Sequence, residues 1–141
     1  MKKLQSVENS CVRFVYCLKR REHITPYLKK AHVLPVAFRV KFKLCLLVHK
    51  CIFASAPEYL QSLVSQHWPR NESLRSTDDN DIYKLSIPNV AKTRINQKRF
   101  HHNAAVNWNS LPMSIRMCED TGKFKSLLKT HLFRDAFESS D

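Results

Sequence analysis

Val36-Ala37-Phe38-Arg39-Val40-Lys41-Phe42-Lys43-Leu44-Cys45-Leu46-Leu47-Val48-His49-Lys50-Cys51-Ile52-Phe53 is the stretch that decides the fold. Val36, Val40, Leu44, Leu47, Val48 and Cys51 recur mostly at three- and four-residue intervals, the spacing that lines one face of an α-helix. Phe38, Phe42 and Leu46 widen the stripe, which predicts a helix at the centre of the fold. Pro35 stands just before it, where a fixed φ and a missing N–H suit the first turn. The polar positions are nearly all basic, namely Arg39, Lys41, Lys43 and Lys50. One helix is thus expected to carry an apolar face and a cationic one.

Upstream, Leu4, Val7, Cys11, Phe14 and Leu18 are spaced three, four, three and four apart, which predicts an amphipathic helix over 2–18. Lys2, Lys3, Gln5, Glu8 and Arg13 make its other face, and Lys19-Arg20-Arg21 follow where cations suit a helix C-terminus. Thr25-Pro26 reads as an N-cap and first helical position of a short helix to Ala31, ended by Leu34-Pro35. Downstream, Pro57 to about Gln66 reads as a short helix. Residues 67–81, rich in Asn, Ser, Thr and Asp, read as a polar loop. Ile82, Leu85, Ile87 and Val90, with Lys92 to Arg99, predict a minor two-stranded β element around residues 82–99. Ala104 to Trp108 and Ser114 to Met117 predict single helical turns. Thr121 to about Phe137 predicts a last helix with Phe124, Leu127, Leu128, Leu132 and His131 facing in. The expectation is a mainly α, bundle-like fold: a basic helical region over 1–66, the loop 67–81, and a mixed segment over 82–141, together one domain.

The chain has 141 residues, 43% of them hydrophobic, enough to bury a core. It has a single glycine, Gly122, where an average chain of this length carries about ten. Walker A loops and dinucleotide-binding turns need several glycines so that backbone can approach phosphate, and both are excluded. The formal charge is +12, and it is uneven. Residues 1–50 hold 12 Lys and Arg against Glu8 and Glu22, a balance of +10, whereas residues 101–141 are neutral. A basic third on a neutral remainder points to a polyanion. Five cysteines without a CxxC, no apolar leader after Met1, and no long apolar run predict a reducing, intracellular setting, nucleus or cytoplasm, and no membrane.

Catalytic chemistry finds little to stand on. Cys45 and His49, four apart on one helical face, could supply half of a zinc site, but no second pair accompanies them. A core Cys45 and a borderline His49 are expected instead. Asp78, Asp79 and Asp81 lie in a polar loop, not on the rigid elements that metal-assisted phosphoryl transfer requires. No GxSxG elbow is present. No cofactor and no metal are expected.

Several segments together are similar to one family. They are Lys3-Leu4-Gln5-Ser6-Val7-Glu8-Asn9, Arg21-Glu22-His23-Ile24-Thr25-Pro26, His32-Val33-Leu34-Pro35-Val36, Arg39 through Lys50, Ala56-Pro57-Glu58-Tyr59-Leu60, Ser73-Leu74-Arg75-Ser76, Trp108-Asn109-Ser110-Leu111-Pro112 and Phe124-Lys125-Ser126-Leu127-Leu128-Lys129-Thr130. In that order and spacing they resemble the region after the catalytic palm in reverse transcriptases of LINE-type, non-LTR retrotransposons, jockey-like groups among them. The resemblance covers nearly the whole chain. It implies a thumb and post-palm region that holds template–primer nucleic acid by its backbone. The family's catalytic aspartates lie upstream of any segment matched here, so the resemblance implies a fragment of an RNA-directed DNA polymerase that is not an enzyme by itself. Ser55-Ala56, Arg99-Phe100-His101-His102 and His32-Val33 depart from the family's pattern, as a degenerate copy would.

Two readings follow. In the first, Lys19, Arg20, Arg21, Lys29, Lys30, Arg39, Lys41, Lys43 and Lys50 contact phosphates of RNA or DNA without regard to sequence. Trp108, Leu111 and Pro112 are then structural. In the second, the chain is a relic or a protein-interaction module, partnered by the missing palm or by itself, and exposes an apolar face on helix 2–18 or 36–53.

Overall fold

The computed structural model describes residues 1–53, 56–64, 84–87 and 100–138. Among these the fold is mainly α, with helices α1 (Lys2–Val15), α2 (Thr25–Lys30), α3 (Val36–Ile52), α4 (Glu58–Gln61), α5 (Phe100–Asn109), α6 (Met113–Arg116) and α7 (Thr121–Phe137). No strand occurs among the described residues. Of the β element expected around 82–99 only 84–87 are described, and the polar loop 67–81 lies outside the described residues.

The chain forms two compact units, Met1–Phe42 with Leu128–Asp141, and Lys43–Leu127. In the first unit Val12, Leu28 and Phe137 make a buried cluster, ringed by Tyr16, Ile24, Tyr27, Val33, Phe133 and Ala136. The orientation of α1 corrects the periodicity reading. The stripe of Leu4, Val7, Cys11 and Phe14 is exposed, with Leu4 at 62%, Val7 at 61% and Phe14 at 85%. The face that packs runs through Gln5, Glu8, Asn9, Val12 and Tyr16. Of its polar members, Gln5 donates to Asn9 Oδ1 at 3.0 Å and Glu8 lies 3.7 Å from Arg39. Gln5 Oε1 accepts the Val36 N–H at 2.9 Å, satisfying a donor that the start of α3 leaves open.

Helices α1 and α2 end in the same way. Cys17 and His32 both take the left-handed conformation, φ 51° in each. The Leu18 N–H reaches Arg13 O at 2.9 Å and the Cys17 N–H reaches Phe14 O at 3.3 Å; the Val33 N–H reaches Leu28 O and the His32 N–H Lys29 O, both at 3.1 Å. This paired closure usually has glycine at the left-handed position. A chain with one glycine makes it with Cys and His. The first closure also ends α1 at Val15, short of the expected Leu18. In α2 the N-cap is Ile24, not Thr25, and proline stands in the first turn.

In the second unit Cys45, Val48, His49 and Cys51 of α3 are buried, as are Ala104, Ala105, Trp108, Leu111, Ile115 and Phe124. Trp108 and Phe124 pack with ring centroids 5.8 Å apart. Helix α5 is longer than the single turn expected at Ala104, beginning at Phe100. The Asn109 carboxamide holds residue 85 from both sides, accepting the Leu85 N–H at 2.8 Å and donating to Leu85 O at 2.9 Å. In α7 the Asp120 carboxylate caps the first turn through the Lys123 N–H at 2.6 Å. Phe124, Leu128 and Leu132 are buried at four-residue spacing. Leu127, expected to face in, lies one position off that row and is 46% exposed.

Candidate nucleic-acid interface

Five of the nine candidate phosphate contacts stand together in the first unit. Lys19, Arg20 and Arg21 form an exposed turn after α1, and Lys29 and Lys30 are exposed at the end of α2. The turn is held by Arg13, whose guanidinium forks onto Lys19 O at 2.6 Å and Glu22 O at 2.7 Å. A planar guanidinium fixes two acceptors at once, so three neighbouring cations are kept in one short arc. Glu22 closes the arc: its N–H reaches Lys19 O at 3.1 Å and its carboxylate accepts the Lys19 N–H at 3.2 Å.

Aromatic packing ties this arc to α2. Tyr16, the last residue before the turn of the chain, packs on Tyr27 with centroids 5.5 Å apart. The Lys30 ammonium lies over the Tyr16 ring and that of Lys29 over Phe137, each 5.8 Å from the centroid. Such placement steadies the lysine stems and leaves the ammonium N–H groups for an outside acceptor. Among the described residues no carboxylate forms an ion pair with any of the five.

The other four are differently placed. Arg39 Nη1 stands 3.7 Å from Glu8 Oε2, and Lys41 Nζ 3.9 Å from Asp135 Oδ2. The first half of the α3 cationic stripe is therefore partly neutralised from within its own unit. Lys43, exposed, and Lys50, half-buried, belong to the second unit. Spacing alone groups Arg39, Lys41, Lys43 and Lys50 with the rest, because acids distant in sequence do not show in it. Arg13, which does the holding, shows in the sequence only as a member of the polar face of α1. Its signal is its place six residues before Lys19, at the end of a helix that runs into three cations.

The residues weighed for metal and nucleophile chemistry are scattered or committed. Among the described residues no three His, Cys, Asp or Glu side chains come together as metal ligands. Cys45 is buried, and His49, expected at the border of the core, is fully buried, with Nε2 2.8 Å from Cys118 O. Asp78, Asp79 and Asp81 lie outside the described residues. Among the described residues no helix is long and apolar enough to cross a membrane. No family model matches the chain, and no curated protein or solved structure matches it.

Proposed function

We propose that the chain is a non-catalytic module that grips the sugar-phosphate backbone of nucleic acid, in the manner of the post-palm region of a non-LTR retrotransposon reverse transcriptase. The observation that carries this reading is the basic arc Lys19–Arg21 with Lys29 and Lys30, five exposed cations on a braced turn and a helix end. Lysine and arginine that meet phosphates release counterions, and that gain does not depend on base sequence. The resemblance of the ordered segments supplies the partner, a template–primer hybrid, and the role of holding without reacting. Arg39 and Lys41 add less, since each already has a carboxylate beside it.

Fluorescence anisotropy with a labelled RNA–DNA hybrid of arbitrary sequence tests this. Arg20→Ala, Arg21→Ala and Lys30→Ala together weaken binding by about tenfold or more. Lys123→Ala, Lys125→Ala and Lys129→Ala remove the same charge from exposed positions of α7 and change affinity little. Equal losses in the two triple variants would show that net charge alone acts, and would overturn the assignment.

A second reading, a protein-interaction module, is favoured by the exposed stripe on α1. Leu4, Val7 and Phe14 leave apolar area in water that a partner surface would cover.

A further inference from the structure

Resting on the nucleic-acid reading, we infer that Phe14 is a stacking platform for an unpaired base, so that the basic arc, besides gripping a duplex by its backbone, also takes a single-stranded stretch. Phe14 is the most exposed large hydrophobic side chain among the described residues, at 85%. It stands in the last turn of α1, and its carbonyl receives the Cys17 N–H at 3.3 Å. The next closure bond, Leu18 N–H to Arg13 O, leads the chain directly into Lys19. Arg13, its neighbour in sequence, forks onto the carbonyls of Lys19 and Glu22. The ring is therefore carried on a rigid turn that is hydrogen-bonded to the cationic arc, five residues before its first lysine.

The surroundings of the ring suit a base. A shallow groove beside it is lined by Val7, Cys11, Val15 and the small residues Ser6 and Ser10. The one acid of α1, Glu8, has its side chain only 8% exposed and meets Arg39. The outer face of α1 thus offers apolar area and serine hydroxyls, with Lys2 and Lys3 at one end, the arc at the other, and no acid between. A second copy of this face would set cation against cation. A single-stranded polyanion with apolar bases matches both features: phosphates on the arc, a base face on the ring. In a duplex the base faces are already stacked on one another, and Phe14 gains nothing from it.

Anisotropy with labelled oligothymidylate and with a mixed-sequence DNA duplex of equal length separates the possibilities. Phe14→Ala shortens a side chain that packs little on the protein, so the variant folds. It weakens oligothymidylate binding by about 5- to 150-fold, the range of one lost base–aromatic stack, and leaves duplex affinity and the salt dependence of both as in the unaltered chain. Phe14→Trp restores or strengthens single-strand binding. If Phe14→Ala leaves oligothymidylate affinity unchanged, or lowers single strand and duplex equally, the inference is overturned while the nucleic-acid reading stands. If the unaltered chain binds neither oligonucleotide, the reading beneath it fails. Binding of phosphatidylserine vesicles that depends on Phe14, without such dependence for oligothymidylate, assigns the face to a lipid surface and overturns the inference.

Discussion

His49 is a titratable ring placed among aromatic neighbours. Its centroid lies 4.2 Å from that of Phe124, nearly parallel, and 4.7 Å from that of Phe53. A carbonyl can only accept, so the bond to Cys118 O puts the proton on Nε2. Nδ1 is then a buried lone pair without a hydrogen-bond partner. Burial lowers the imidazole pKa below its ordinary 6.5, opposed by the Cys118 carbonyl and by the charge of Asp120. Above pH 6.5 the ring is neutral folded and unfolded, and its packing contributes in full. As the pH falls below 6.5 the unfolded chain binds a proton that the folded chain resists, and stability drops until the lowered folded pKa is passed. His49→Gln keeps a neutral donor for Cys118 O and cannot titrate. Thermal melts at decreasing pH are expected to fall less steeply below 6.5 for His49→Gln than for the unaltered chain. Parallel curves would show that His49 does not govern the acid limb.

At the scale of elements, the helix ends carry strain that glycine would relieve. Cys17 holds φ 51° with an exposed side chain whose thiol makes only a long contact to Phe14 O, 3.9 Å. A left-handed residue with a Cβ costs about 1–2 kcal/mol, partly offset because glycine gains freedom in the unfolded chain. Cys17→Gly is therefore expected to stabilise by about 0.5–1 kcal/mol, read as a higher urea midpoint with an unchanged slope. A lower midpoint would mean that the closure of α1 is not strained. Several elements were legible in the sequence for the same local reasons that stabilise them. The bounds of α7 follow from the phenylalanine and leucine row and the run to Phe137; those of α3 follow from Pro35 and its apolar stripe. The face that α1 buries was not legible. Periodicity reports where apolar residues gather, and in α1 they gather on the outside. What turns the helix the other way is Gln5 bonding Val36, 31 residues away in sequence, and Tyr16 packing on Tyr27. Buried His49 was hidden in the same way, since its partner Cys118 lies 69 residues on.

Over the whole molecule, charge is the property that sequence and structure express together. The excess of cations in residues 1–50 was legible by counting. Which of them remain without an acid was not, because Glu8 and Asp135 reach Arg39 and Lys41 only through the fold. Among the described residues, the candidates of the first unit that form no ion pair are Lys19, Arg20, Arg21, Lys29 and Lys30, and this arc defines how the chain should meet a polyanion. The most direct measurement of that claim is the affinity for two unrelated DNA duplexes over a range of salt concentrations. Five phosphate contacts, each contributing about −0.9 to the slope of log affinity against log salt, give a slope of about −4.5 that is the same for both sequences. A flat salt dependence, or an affinity that follows base sequence and not ionic strength, would contradict the account.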